Sequence, residues 1–192
     1  MIIDFCGATK GKTSSALGTV VRALGHGKSV RVLFFMKHWN TSEVAFFKAV
    51  RDQFDIRLYQ AGDEDFVFAG KDVNTITLEQ ARKRLRFGRV QKVDEKDIEN
   101  AQKGLLKAWS FLEGKPFLLV LDEVLYAIEF GLLDEAQVRE LLEEANRLGV
   151  HVIVTGRHTP AGLRPLCDLI TEMTKVKHPY DTGTVAVKGL DY

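Results

Sequence analysis

The chain has little of what marks a secreted, membrane-bound or multi-domain protein. Its two cysteines, Cys6 and Cys167, are too few for a disulfide framework and lack metal-type spacing. Cys6 falls in an apolar run and reads as a small buried hydrophobe rather than a nucleophile. The four prolines form no Pro-rich linker. With no internal repeat or low-complexity tract either, residues 1–192 read as one domain with a substantial core. No apolar stretch is long enough to span a bilayer. Asp4 interrupts the first apolar run after a few residues, which excludes a secretory signal there. A formal net charge of +1 gives no global pull toward nucleic acid or acidic membranes. What remains is an ordinary soluble composition, 45% hydrophobic and 28% charged, and a cytoplasmic location is expected.

What the chain does have is concentrated in its first fourteen residues, ending in Gly7-Ala8-Thr9-Lys10-Gly11-Lys12-Thr13-Ser14. A short apolar run, a glycine-bounded loop and a helical pattern follow one another, which is the context of a phosphate-binding P-loop. Glycines let backbone N–H groups turn inward, and the helix N-terminus adds partial positive charge. Lys12 is placed to reach phosphates, and the Thr13 hydroxyl to ligate Mg²⁺. The loop is one residue shorter than the usual Gly-x4-Gly-Lys-Thr. The plainer alternative is a Gly-rich β–α turn with an exposed lysine.

Ala16, Leu17, Val20, Val21 and Leu24 recur at helical spacing, and Gly25 to Lys28 stop that helix. Val30 to Met36 reads as a strand covered on both faces, followed by the polar loop Lys37 to Thr41. Thr41 is a candidate cap for a helix through Val44, Phe47 and Val50. Ile56 to Tyr59 is a weaker strand, and Gly62 to Gly70 an acidic loop with aromatics. Leu78 to Leu112 is mostly helical in pattern, with a break near Gly88. Its basic run, Arg82 to Lys92, could track nucleic-acid phosphates. The acids that follow, from Asp94 to Glu99, favour a solvated or flexible charged segment.

Phe117 to Leu121 is the strongest buried strand and ends in Asp122-Glu123. That is either a Walker B carboxylate pair or a cap for the next helix; beside the P-loop, the metal reading is the stronger. Asp134 and Gln137 form a capping box for a helix burying Val138, Leu141 and Leu142. Val150 to Thr155 is a further strand, Pro160 opens a short helix to Cys167, and Leu169 to Met173 is a last core strand. Strands alternating with helices predict a three-layer α/β/α fold with a mainly parallel sheet. Lys12, Thr13, Lys37, Asp122 and Arg157 then share one rim, at the strands' C-terminal ends.

These stretches together resemble the P-loop family of ATP:corrinoid adenosyltransferases, the CobA/CobO/BtuR type with a RecA-like fold. The family loop Gly-Asn-Gly-Lys-Gly-Lys-Thr-Thr has the same contracted spacing as Gly7 to Ser14. Ala8 and Thr9 stand where the family has Asn and Gly. Arg22 to Lys28, Leu121-Asp122-Glu123, Thr155-Gly156-Arg157, Thr171-Glu172-Met173, Val176 to Gly183 and Gly189 to Tyr192 also match, in order. The run Arg82 to Lys92 resembles an insertion, and the chain is expected to lack an N-terminal segment that helps close the corrinoid site in some relatives.

The resemblance implies transfer of the 5′-deoxyadenosyl group of ATP to the cobalt(I) of a reduced corrinoid. Cobalt(I) is itself the nucleophile, so the enzyme's work is positioning and leaving-group stabilisation. It implies that Gly7, Ala8, Thr9, Lys10, Gly11, Lys12, Thr13 and Ser14 bind the triphosphate, with ATP reversed relative to ordinary ATPases. Thr13 and Glu123 then hold Mg²⁺ or Mn²⁺. Lys12 and Arg157 fall among the catalytic residues, with Phe66 and Phe68 (Phe where the family has Trp) excluding the corrinoid's lower axial ligand. A flavoprotein reductase and a homodimer are the implied partners. The competing expectations are a RecA-like ATPase acting on nucleic acid through Arg82 to Lys92, and a non-catalytic nucleotide- or corrinoid-binding protein.

Overall fold

A computed structural model describes residues 1–62, 66–67, 90–91, 93–183 and 187–190. Six strands make one sheet: β1 (Ile2–Cys6), β2 (Val30–Phe35), β3 (Ile56–Ala61), β6 (Leu118–Asp122), β7 (His151–Thr155) and β8 (Leu169–Glu172). Their order is β3-β2-β6-β7-β1-β8, and every pairing is parallel. β7 therefore lies between the strand that leads into the glycine loop and the strand that ends in Asp122. A second, two-stranded parallel pair joins β4 (Phe66–Val67) to β5 (Val90–Gln91).

Strand periodicity sorts the side chains into two cores. Val30, Val32 and Phe34 of β2, with Val120 and Ile153, meet helices α1 (Lys12–Gly25) and α2 (Ser42–Val50) on one face. Leu33, Phe35, Leu119, Leu121, Val152 and Val154 meet α3 (Glu95–Glu113), α4 (Val124–Glu129) and α5 (Glu135–Arg147) on the other. This is the expected three-layer α/β/α arrangement, and the continuous apolar runs of the central strands follow from cover on both faces. No helix among the described residues is long and apolar enough to cross a membrane.

Several local expectations need correction. Val21 is exposed and Ala23 buried, because Val21 lies a further 100° round α1 from Val20, past the edge of the sheet-facing stripe. Thr41 sits at the N-cap of α2 without a side-chain capping bond; its hydroxyl is buried with no partner among the described residues. Phe66–Val67 and Val90–Gln91 are strands rather than loop and helix. The acids after the basic run are ordered: Asp94 and Asp97 form a capping box at the start of α3, each backbone N–H donating to the other's carboxylate at 3.0 Å. After Pro160 only a short 3-10 turn, Arg164–Leu166, forms. Leu169–Glu172 is an exposed edge strand, since β8 ends the sheet among the described residues. The run Arg82 to Arg89, Lys92 and Phe68 lie outside the described residues. The capping box of Asp134 and Gln137 and the strand from Leu118 match expectation.

Asp4 is a charged group in the middle of β1, fully buried. Thr159 Oγ1 donates to its Oδ2, while Oδ1 has no partner among the described residues. Burial pushes its carboxyl above the ordinary value, against Thr159 and Arg164, which act the other way. A raised folded value means that the folded state holds the proton more tightly, so Asp4 costs stability at neutral pH and recovers it on acidification. Asp4→Asn is expected to stabilise the fold at neutral pH by about 1 kcal/mol. Urea denaturation should show that advantage shrinking as the pH falls toward the ordinary carboxylate range; an advantage constant with pH would contradict it.

Candidate active site

The glycine loop leaves β1 at Cys6 and enters α1 at Lys12. Gly7 (φ 120°) and Gly11 (φ 113°) both take left-handed backbone conformations that side chains disfavour. Both glycines also face Met173, the residue that follows β8. A Cβ at Gly7 would press on the Met173 carbonyl oxygen and lie 2.7 Å from its nitrogen; one at Gly11 would lie 2.9 Å from its sulfur. The Met173 N–H donates to the Cys6 carbonyl at 2.8 Å, and the Gly7 N–H to the Arg157 carbonyl at 2.9 Å. The loop is thus clasped from behind by the ends of β7 and β8. Gly7→Ala adds left-handed strain of about 1–3 kcal/mol to this clash. It should weaken ATP binding about tenfold or more in a calorimetric titration; wild-type affinity would show that the clasp is not needed.

Lys12 is the first residue of α1, and its ammonium turns back to donate to the Gly7 and Thr9 carbonyls at 2.8 and 2.6 Å. Burial holds it below its usual range, opposed by Glu123 and Asp122 and reinforced by Arg157. Thr13 Oγ1, one residue on, donates to both Asp122 oxygens at 3.0 and 3.2 Å. Ser14 is exposed in the first helical turn, as are Ala8 and Lys10 in the loop.

Asp122 closes β6 and is completely buried. Besides Thr13 it accepts from Thr155 Oγ1 at 2.8 Å and from Lys37 Nζ at 2.6 Å. Thr155 in turn accepts the Glu123 backbone N–H at 2.8 Å, tying the ends of β6 and β7 together. Glu123 has a left-handed backbone (φ 63°) at the N-cap of α4 and makes no side-chain cap, so the capping alternative does not hold. Its carboxylate faces Lys37 at 3.9 Å. Burial raises Glu123 above its usual range, Lys37 pulls it back, and Asp122 pushes it up again. For Lys37, burial alone would depress the ammonium, but the Asp122 and Glu123 carboxylates prevail and hold it above its usual range.

Arg157 follows β7 and places its guanidinium over the Tyr126 ring, 5.9 Å from the centroid. Burial, with Glu123 and Glu129, pushes Tyr126 up to about 12. A cleft of about 980 Å³ opens over the loop, bounded by Lys12, Thr13, Lys37, Glu123 and, from the C-terminal segment, Lys175 and His178. Phe66 is placed by its backbone in β4, and Phe68 is not among the described residues. Sequence reasoning set Lys37 on this rim but gave it no role, read Asp122 only as part of the metal-type acidic pair with Glu123, and gave no role to Thr155, Met173, Lys175 or His178. The signals available were the strand-end positions and the matched stretches around Thr155, Met173 and His178.

A parallel α/β sheet whose strand ends carry a glycine-bounded loop, a helix N-terminus, Lys12, Thr13 and an acidic pair defines a nucleotide-binding protein of the P-loop type. The family model described as "ATP:corrinoid adenosyltransferase BtuR/CobO/CobP" matches residues 1–192, and the chain belongs to that family of transferases. It is 32% identical over 194 residues to the corrinoid adenosyltransferase of Pseudomonas aeruginosa (strain PAO1), covering all of this chain and 83% of the relative. It is 30% identical over 193 residues to that of Escherichia coli K12, with 100% and 85% covered. With corrinoid adenosyltransferase CobA of Salmonella typhimurium the identity is 28% over 202 residues, again 100% and 85%.

Proposed function

We propose that this protein transfers the 5′-deoxyadenosyl group of ATP to the cobalt(I) of a reduced corrinoid, cobalamin or cobyrinic acid a,c-diamide, in adenosylcobalamin synthesis or salvage. The observation that carries this reading is the contracted loop, whose Lys12 and Thr13 line one cleft with Glu123 while Thr13 donates to the buried Asp122, in a chain that matches the family from end to end. Cobalt(I) supplies the electron pair for the new cobalt–carbon bond. The C5′–oxygen bond breaks, and triphosphate leaves with that bond's pair. No protein nucleophile is required, so the protein's contribution is orientation and charge stabilisation.

In this reading Gly7 to Ser14 cradle the triphosphate, Lys12 neutralises its developing charge, and Arg157 adds positive charge near Lys12. Phe66 and Phe68 exclude the corrinoid's lower axial ligand. The Thr13 hydroxyl with the Asp122 and Glu123 carboxylates is an all-oxygen donor set suited to Mg²⁺ or Mn²⁺. The cation already seated there, Lys37, marks the position as one that favours positive charge. A divalent ion held there supplies charge neutralisation to the leaving group. We place the protein in the cytoplasm, as one domain over 1–192, working as a homodimer with a flavoprotein reductase.

The test is incubation with ATP, Mg²⁺ and chemically reduced cobalamin. A light-sensitive adenosyl product and stoichiometric triphosphate are expected; ADP and phosphate, or binding without turnover, would overturn the reading.

A further inference from the structure

Lys37 is the best-placed cation in the cleft that the family's loop motif does not include. Its ammonium lies 2.6 Å from Asp122 Oδ2 and 3.9 Å from Glu123 Oε1, beside the carboxylate that Thr13 also contacts. The surrounding backbone is built to put it there. Met36, just before it, holds a left-handed φ of 54°, and Glu123 opposite holds one of 63°; neither is a glycine. Such strain persists only where the surrounding structure enforces it, and it gathers at functional positions. At the end of β3, Gly62 lets the chain pass close by: a Cβ there would lie 2.5 Å from the Lys37 nitrogen and 2.7 Å from the Met36 carbonyl carbon. The Lys37 ammonium also lies over the Phe34 ring, 5.4 Å from its centroid. Its tip reaches a wholly buried carboxylate while the side chain as a whole stays 16% exposed, on the cleft side.

We propose that Lys37 is the resident counter-ion of the metal position: it neutralises Asp122 and Glu123 in the ligand-free protein and cedes that place when nucleotide arrives. This rests on the metal assignment made under the proposed function. A buried carboxylate needs a partner at all times, since an unpaired one is costly. An ammonium and a divalent cation repel each other and compete for the same oxygens, so metal binds poorly while Lys37 is seated. Triphosphate in the same cleft gives the ammonium new acceptors within the sweep of its flexible stem. Lys37 then turns to the phosphates and Asp122 is released to the metal, which enters with ATP rather than before it. The device makes metal and nucleotide binding mutually dependent.

The experiment is titration of the full chain with Mn²⁺, followed by the EPR signal of unbound Mn²⁺, with and without ATP and without corrinoid, each ATP titration being corrected for the Mn²⁺ that the same ATP takes up without protein. Wild type should bind Mn²⁺ weakly alone and more tightly with ATP. Lys37→Met should bind Mn²⁺ alone about tenfold more tightly than wild type and lose most of the ATP dependence. Lys37→Arg should stay weak. Unchanged or weaker Mn²⁺ binding by Lys37→Met without ATP overturns the proposal. If Lys37→Met is unfolded in the absence of metal, a thermal melt at saturating Mn²⁺ decides: recovery of the folded transition supports the counter-ion role, and failure to recover overturns it. Wild type that binds no Mn²⁺ even with ATP would instead remove the metal assignment, and this inference with it.

Discussion

Lys12→Ala is expected to lower the rate of adenosyl transfer by about two to three orders of magnitude. Lys12 begins α1 at the mouth of the cleft, and its ammonium lies against the Gly7 and Thr9 carbonyls. Burial makes it a cation in want of a counter-charge, which an arriving triphosphate supplies. In the reaction that counter-charge grows on the leaving oxygen, so the interaction strengthens toward the transition state and appears in kcat. The control sits at the other end of the same helix. His26 is exposed just beyond Gly25, about 20 Å along the helix from Lys12. His26→Ala should stay within about twofold of wild type, as surface substitutions away from a site usually do. Formation of the light-sensitive product from reduced cobalamin gives both rates. Equal losses at Lys12 and His26 would remove Lys12 from its assigned role.

Asp122→Ala is expected to damage the fold as well as the site. Asp122 is wholly buried and is the shared acceptor for Lys37, Thr13 and Thr155. Its removal strands the Lys37 ammonium with Glu123, 3.9 Å away, as its remaining carboxylate and leaves two hydroxyls without their acceptor. Breaking a buried ion pair from one side costs about 3–5 kcal/mol, against a ceiling of about 1 kcal/mol for most surface pairs. In a chain of this size that corresponds to a fall in melting temperature of roughly 6–20 °C. Adding Lys37→Met should restore part of the loss, because the stranded cation is then gone, and the double-mutant cycle should be clearly non-additive. The sign with pH is also fixed. Lys37 is held above its ordinary value, so its contribution is fully present below the ordinary lysine value and fades only as the pH rises above it. The gap between variant and wild type should therefore hold steady from about pH 6 to about pH 9. A near-normal melting temperature for Asp122→Ala would refute the buried-pair account.

Much of the fold was legible because its signals are local. The central strands read as unbroken apolar runs since both faces of the sheet are covered. The Asp134–Gln137 box marked a helix start by residue type and spacing alone. The misses arose where a distant neighbour decides. Val21 looks like a core residue by type, but the stripe facing the sheet ends before it. Leu169 and Ile170 look like core strand, yet they sit in the exposed edge strand of the sheet formed by the described residues. Within Asp122-Glu123, two adjacent acids are equivalent on paper. In the fold Asp122 is the last pleated residue of β6 and points inward, whereas a left-handed backbone brings Glu123 out to the cleft.

The sequence by itself determined the strand–loop–helix order around Gly7 to Ser14, the shortened spacing of that loop and the family. These depend on residues close together along the chain and on their order. Tertiary structure alone decided that Asp122 receives Thr13, Lys37 and Thr155, which come from the start of α1 and the ends of β2 and β7. It alone set Met173 behind the loop glycines and brought Lys175 and His178 to the cleft. The parallel register is responsible: with β7 between β1 and β6, strand ends more than a hundred residues apart fall on one rim, and no local period carries that information.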